Sequence, residues 1–169
     1  MATFKNLKDL EKYLKEKIDN SLEKEVASMV KAVQTDHIVD DVYMAYNNVN
    51  GGRQEPYVYK RRYFQGGLID RENMQSEVND GTLTVTNIAE TNPNYAGSPV
   101  ENLAGLIEYG HENGYGQYDY TRNRDGTEWQ YMQPRPFIEN TRDDIAKNKL
   151  HVKALKEALK RRLGNENVK

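Results

Sequence analysis

The chain has 169 residues, 24 basic and 26 acidic side chains, a formal net charge of −2 and no cysteine. The near-zero net charge gives no general attraction to nucleic acid or to an anionic membrane surface. The absence of cysteine excludes a disulfide framework, a thiolate zinc site and a cysteine nucleophile. Hydrophobic residues make up 37% of the chain, so we expect one domain with a thin core, stabilised in part by neighbouring subunits.

The first third of the chain carries the clearest helical pattern. Apolar residues recur mostly at steps of three and four from Leu7 to Val33, which is typical of one stripe of an amphipathic helix. The drift of the stripe favours a helix lying across a sheet over a coiled coil. The pattern continues to Tyr46, and Thr35 or Asp36 would be a new N-cap if the helix splits there.

An acidic cluster in this region suggests a metal-dependent hydrolase as one alternative. Asp36 and Asp40 would share a helix face, with His37 beside them. Hard cations require several convergent oxygens, and no other cluster in the sequence is spaced to complete such a shell. We therefore expect a solvated acidic turn. His111 beside Glu112 lacks a nucleophile and an orienting partner, so we expect a loop histidine and not an acid–base pair.

A basic and aromatic segment, Tyr57 to Phe64, follows a run of turn-forming residues. Its tyrosines would stack on bases and its cations would neutralise phosphates in a nucleic-acid-binding module, which is the alternative function. The near-zero net charge favours instead an extended segment whose cations pair with carboxylates of the same or a neighbouring subunit. Gly66-Gly67 lacks the strand, Lys and Ser/Thr of a phosphate-binding loop.

Two strands are predicted next, from Met74 to Val78 and from Thr82 to Ile88. The intervening Asp80-Gly81 dipeptide is a strong hairpin signal. Leu83 and Val85 alternate with threonines, which predicts one face against a core and the other toward water or a partner.

A short helix is predicted after the loop that follows the hairpin. Ser98 is the expected N-cap, Pro99 the first helical residue, Glu101 completes the capping pattern and Gly110 ends the helix. The expected buried stripe consists of Val100, Leu103, Ala104 and Ile107.

The stretch at about 111–133 is polar, rich in tyrosine and glycine, and predicted to project as a long hairpin or loop. Three of the 12 tyrosines and the one tryptophan lie between Tyr115 and Trp129. Large amphipathic rings are common anchors at protein interfaces. The alternative is that these rings cover the small core.

The last helix is predicted from near Pro136 to Leu163, before Gly164, with a fraying tail at 165–169. Acidic residues near its start and basic residues near its end match the helix dipole. No apolar run has the ~20 residues of a membrane span, and the N-terminus lacks the apolar block of a signal peptide. We therefore expect a soluble protein in a cytoplasm-like compartment.

Three sequence blocks carry a family resemblance. They are Tyr59–Arg62 followed by Gly66–Asp70, then Leu106–His111, then Arg135–Ile138 entering the last helix. In this order they resemble the tail-completion proteins of long-tailed bacteriophages, a family also called head–tail joining, neck, tail-terminator or minor capsid proteins. The resemblance implies an α+β subunit with helices packed on an antiparallel sheet. It also implies a ring, often a hexamer, at the head-proximal end of the tail, with no enzyme activity and no cofactor.

The resemblance and the residue pattern together suggest interface and motif residues. The candidate interface residues are Lys60, Arg61, Arg62, Tyr63, Tyr118, Tyr120, Trp129, Tyr131 and Arg135. The candidate structural motif residues are Gly66, Gly67, Glu108, Gly110, Pro136 and Phe137. The insertion around Tyr115 to Trp129 is longer than the family pattern needs, so its contacts are not carried over.

The implied partners are identical copies of the chain, a tail-tube protein and the head connector or stopper proteins. DNA would pass through the lumen of the ring without sequence-specific binding. The expected location is the virion, after assembly in the host cytoplasm, with no membrane contact.

Overall fold

The computed structural model describes residues 4–43, 67–90, 102–109 and 134–164. The helices are α1 (Leu7–Ser21), α2 (Ala27–His37), α3 (Leu103–Tyr109), α4 (Phe137–Asn148) and α5 (Leu150–Gly164), and the strands are β1 (Met74–Asn79) and β2 (Thr82–Asn87). The two strands form a small antiparallel sheet. The predicted α+β class is confirmed: a long N-terminal helical region and helices in the C-terminal part of the chain accompany a small antiparallel sheet.

The chain divides into two units. The first unit comprises Met1–Val33, Ser76–Val85 and Asp143–Lys169, and the second comprises Gln34–Gln75 and Thr86–Arg142. Whether 1–169 is a single domain stays a prediction.

The N-terminal helical run is longer than one regular α-helix. Asn6 caps α1, because its Oδ1 accepts a hydrogen bond from the Asp9 backbone N–H at 2.9 Å. A π-helical turn (Leu22–Val26) connects α1 to α2, and a second π-helical turn (Ile38–Tyr43) follows α2. The helix therefore does not split at the predicted position. The Thr35 side chain contacts Met74 Sδ at 4.0 Å instead of capping a helix.

The first unit contains a pair of packed helices and the turn end of the β-hairpin. Helices α1 and α5 pack together, and α5 also packs on the first π-helical turn. Arg162 of α5 donates from Nη2 to both carboxylate oxygens of Glu25 at 2.8 Å, and to the Asn20 carbonyl oxygen at 3.4 Å. The buried residues among those described in this unit are all small: Ser21, Val26, Ala27 and Ala158. Small side chains let helices approach closely, but they bury little apolar area.

The predicted β-hairpin is confirmed. Asp80 and Gly81 both have positive φ, 47° and 75°, as a two-residue type I′ turn requires. Leu83 and Val85 are half-buried, whereas the alternating threonines of β2 are exposed. The sequence alternation therefore marks the two faces of this strand correctly.

The prediction of one continuous last helix is wrong. Lys149 has a φ of 51° and separates α4 from α5. Asn148 Nδ2 donates to Asp144 Oδ1 in the last turn of α4. The apolar positions Ile145 and Leu150 are five residues apart, a step that one straight helical stripe does not accommodate.

Replacing Lys149 by glycine is expected to stabilise the protein. The left-handed conformation costs an L-residue about 1–2 kcal/mol, whereas glycine adopts it readily and loses about 0.5–1 kcal/mol more backbone entropy. We expect Lys149→Gly to raise the free energy of unfolding by about 0.5–1 kcal/mol in urea titrations. The control Lys147→Gly, inside α4, should lower it by about 1 kcal/mol. A lower stability of Lys149→Gly would contradict the prediction.

The second unit contains the larger apolar core. Its buried cluster consists of Ile38, Val42, Leu68, Met74, Ala89, Ala104 and Phe137. Four half-buried residues pack against this cluster: Tyr43, Ile69, Leu103 and Ile107. Residues from widely separated parts of the sequence therefore meet in one place.

Candidate functional site

A buried carboxylate joins two of the sequence blocks. Glu108 of α3 is 5% exposed. Its Oε2 accepts the backbone N–H of Ile138 at 2.8 Å, and its Oε1 accepts that of Glu139 at 3.0 Å. The first N–H groups of a helix have no partner within the helix, and a negative charge at that end is favourable. Glu108 therefore caps α4 from 30 residues upstream.

The start of α4 is fixed by the Arg-Pro-Phe-Ile block. Arg135 donates its backbone N–H to the Ile107 carbonyl oxygen at 2.8 Å, and the Arg135 carbonyl oxygen accepts from the Phe137 N–H at 2.8 Å. Pro136 is half-buried and Phe137 is fully buried. The prediction that the last helical region begins near Pro136 is confirmed, because α4 begins at Phe137.

The glycine-containing block forms a turn that leads into β1. The buried Gly67 accepts, through its carbonyl oxygen, the N–H of Asp70 at 3.1 Å and Asn73 Nδ2 at 3.0 Å. Leu68 lies in the core, and its carbonyl oxygen accepts Asn87 Nδ2 at 2.7 Å. The backbone polar groups of this turn are thus satisfied by asparagine side chains.

The three sequence blocks meet at one core. Leu68 from the first block and Phe137 from the third belong to the same buried cluster, and Ile107 from the second packs against it. Among the candidate motif residues, Gly67, Glu108, Pro136 and Phe137 lie in the described residues, and Gly66 and Gly110 lie outside them. The blocks that carry the family resemblance are therefore elements of the second unit's core.

Asparagine side chains fill roles that the sequence patterns did not indicate. Asn102 is the N-cap of α3, since its Oδ1 accepts from the Gly105 N–H at 2.8 Å. The described helix begins at Leu103, and the predicted cap residues Ser98, Pro99 and Glu101 lie outside the described residues. Asparagine ranks with serine at N-cap positions, and this signal would have identified Asn102 directly before the apolar Leu-Ala pair.

Most of the candidate interface residues lie outside the described residues: Lys60, Arg61, Arg62, Tyr63, Tyr118, Tyr120, Trp129 and Tyr131. The same holds for the projection at 111–133, the basic-aromatic segment 57–64 and the tail 165–169. Arg135 is described and is 8% exposed, so it presents little surface in a single copy of the chain.

The acidic cluster on α2 and the following π-helical turn is engaged in local contacts. His37 Nδ1 lies 2.9 Å from Asp41 Oδ2, and this oxygen also accepts Asn140 Nδ2 at 2.9 Å. Asp36 and Asp40 are exposed. Within the described parts of the chain, no group of three or more His, Asp or Glu side chains is placed to hold a metal ion.

An apolar stripe on α1 is left half-exposed in the first unit. Leu7 is 82% exposed, Leu14 39% and Ile18 37%. With the half-buried Leu10, they line a groove that ends at the Asp80-Gly81 turn. The charged residues along this groove are Glu11, Lys15, Asp19 and Asp80. We call this feature the α1 groove.

One ion pair crosses the α1 groove. Lys15 Nζ donates to Asp80 Oδ1 at 2.8 Å, and both side chains are mostly exposed. This hydrogen bond and the attached charge lower the pKa of Asp80 below its ordinary 3.8, and they raise the pKa of Lys15 above its ordinary 10.5. The pair connects the hairpin turn to α1.

The ion pair predicts a pH dependence. Because the folded state lowers the pKa of Asp80, the pair's contribution to stability is present above pH 3.8 and is lost as the pH falls through the folded value. We expect an NMR titration to give a lower pKa for Asp80 in the wild-type chain than in Lys15→Met. The control Lys12→Met, an exposed lysine of the same helix, should leave the Asp80 value unchanged, and equal values in all three chains would refute the assignment.

In the part of the chain that the structure describes, the helices are too short or too polar to cross a membrane. This finding concerns the described helices alone.

Comparison with known proteins places the chain in a family. The sequence model of the family described as YomN matches residues 6–161. The chain belongs to the YomN family. The family carries a bacteriophage protein name, which supports a phage origin for the chain. No curated protein and no solved structure matches the chain.

The YomN family match extends over residues of both units. It includes the α1 groove, the Glu108 cap of α4 and most of α5. These features therefore lie within the part of the chain that the YomN model describes.

Proposed function

We propose that this chain is a structural virion protein of the phage neck. In this proposal it forms a hexameric ring at the head-proximal end of the tail, where it completes the tail or joins it to the head. Its partners are identical copies, the tail-tube protein and the connector or stopper proteins of the head. It assembles in the host cytoplasm, acts in the virion, performs no catalysis and allows DNA to pass without sequence-specific binding.

The half-exposed α1 stripe is the observation that carries the proposal. The buried residues described in the first unit are small, whereas its large apolar side chains Leu7, Leu14 and Ile18 remain 37–82% exposed. Burying a leucine or isoleucine side chain fully contributes about 1.5–3 kcal/mol. A subunit that associates with other subunits gains the part of this contribution that corresponds to the area still exposed, which is largest for Leu7.

Two further observations support assembly. The chain belongs to a phage-associated family, and its three sequence blocks resemble those of tail-completion proteins. In the second unit, Tyr109 and Ile138 flank the Glu108 cap in sequence and are 64% and 39% exposed. Tyrosine and large aliphatic side chains on a surface are suited to interface cores.

Association of the purified chain tests the proposal. We expect sedimentation velocity over a hundredfold concentration range to show a defined oligomer, and negative-stain images to show rings. Addition of the tail-tube and connector proteins of the same phage should give larger complexes. A chain that stays monomeric at the highest concentration, alone and with both partners, would rule out the proposal.

The variant Leu7→Ser with Leu14→Ser links assembly to the stripe. Both residues are exposed, so we expect the variant to keep the helical circular dichroism of the wild type and to lose association. The matched control Ile88→Ser removes a side chain that is 41% exposed just after β2, and it reports how much an exposed apolar residue outside the stripe contributes.

A further inference from the structure

The exposed side of α5 is strongly basic. Its exposed cations, together with that of the residue preceding the helix, are Lys149, Lys153, Lys156, Lys160 and Arg161. The one acidic residue of the helix is Glu157. Among the described residues, none of the four lysines pairs with a carboxylate of its own chain. Val152 is 50% exposed and lies four residues before Lys156, so it borders these cations on the helix surface. We call this surface the α5 basic face.

The α1 groove has the opposite charge. Glu11, Asp19 and Asp80 line it against the single cation Lys15, which already pairs with Asp80. Asp19 Oδ1 has no hydrogen-bond partner among the described residues. The groove therefore combines an apolar floor with an excess of negative charge, and a partner with an apolar residue surrounded by cations complements it.

We propose that the α1 groove of one copy of the chain binds the α5 basic face of the next copy. This inference rests on the proposed function, because it assigns the surfaces through which the copies associate. Helices α1 and α5 have 15 residues each, so both are about 22 Å long. The two surfaces thus have similar lengths and opposite charges.

The charges also favour this pairing over contact between two α1 grooves. Two identical grooves facing each other would bring Glu11, Asp19 and Asp80 of one copy near the same carboxylates of the other. Such like-charge contacts are unfavourable at an interface. A contact between different surfaces of identical copies is heterologous, and its repetition produces a closed ring when the rotation allows closure.

A charge-swap experiment tests the proposal. Glu11→Lys alters the groove and Lys156→Glu alters the basic face, and both residues are exposed. We expect each variant alone to associate at least about tenfold more weakly than the wild type, because each places like charges in contact. An equimolar mixture should assemble again, since every contact in an alternating ring then joins opposite charges.

Two matched controls separate this effect from net charge. Glu72→Lys and Lys24→Glu change exposed residues outside both surfaces. We expect the controls, alone and mixed, to assemble as the wild type does. Circular dichroism and thermal melting of all variants should match the wild type and thereby exclude misfolding.

The outcomes distinguish this inference from the proposed function. A monomeric wild-type chain would reject both. Wild-type association that persists in Glu11→Lys or in Lys156→Glu would reject these surfaces and leave the proposed function standing. Loss in both variants without recovery in the mixture would also reject the pairing, because it would show that the two residues do not face each other.

Discussion

Glu108→Ala is expected to lower the free energy of unfolding by about 2–4 kcal/mol. The substitution removes the acceptor of the Ile138 and Glu139 N–H groups from a site that is 5% exposed. Each buried donor left without a partner costs about 1–3 kcal/mol, and part of that cost is recovered if water enters. Urea unfolding measures the loss, and hydrogen exchange of the two amides should show it locally.

The control for this prediction is the neighbouring carboxylate. Glu139→Ala removes an exposed side chain in the first turn of α4, and we expect a loss below about 1 kcal/mol. Glu108→Gln keeps one acceptor oxygen, and we expect its loss in free energy of unfolding to lie between those of Glu108→Ala and Glu139→Ala. Equal stability of Glu108→Ala and Glu139→Ala would show that the buried cap contributes nothing beyond helix-end charge.

Phe137→Ala is expected to have the largest effect of any substitution considered, a loss of about 3–5 kcal/mol. Phe137 is fully buried in the core of the second unit and occupies the first position of α4. Truncation removes its apolar contacts and leaves a cavity that the surrounding side chains fill incompletely. Chemical denaturation of the variant, or its failure to accumulate as soluble protein, measures the effect.

The adjacent residue provides the comparison. Ile138 is 39% exposed, and we expect Ile138→Ala to cost about 1 kcal/mol, since less of its surface is removed from water. Phe137→Leu keeps most of the apolar volume and should cost less than Phe137→Ala. The assignment of Phe137 as the central core residue fails if Ile138→Ala is the more damaging change.

Local sequence signals predicted the elements whose determinants are local. The Asp80-Gly81 dipeptide has the two positive φ values that its type I′ turn requires, and the alternation in β2 marks its half-buried and exposed faces. The apolar stripe from Leu7 onward predicted α1. In each case a few adjacent residues determine the backbone conformation.

Departures from regular helices were harder to predict. Lys149 adopts the left-handed conformation at the break between α4 and α5, although lysine is a good helix former with no preference for that conformation. The π-helical turns at Leu22–Val26 and Ile38–Tyr43 likewise have no short sequence signature. Tertiary packing overrides local propensity at such positions.

At the candidate site, the sequence predicts the residues of the Glu108 cap but not the contact between them. Glu108 and the Arg135–Ile138 block were both identified as parts of a family resemblance, but the contact between Glu108 and Ile138 joins residues 30 positions apart. No local pattern encodes such a hydrogen bond. The candidate interface around Trp129 lies outside the described residues and stays a prediction.

The bond between the Ile107 carbonyl oxygen and the Arg135 N–H, 2.8 Å long, has a consequence for how the chain tolerates change. The backbone departs after α3 and comes back before α4 at adjacent points, so the closure of the intervening stretch is already fixed. Doubling the length of a flexible loop adds only about 0.6 kcal/mol to its closure. Because the bond holds Ile107 beside Arg135, lengthening the chain between these two residues is expected to add little to the free energy of closure, whereas a change at the junction itself is expected to matter more.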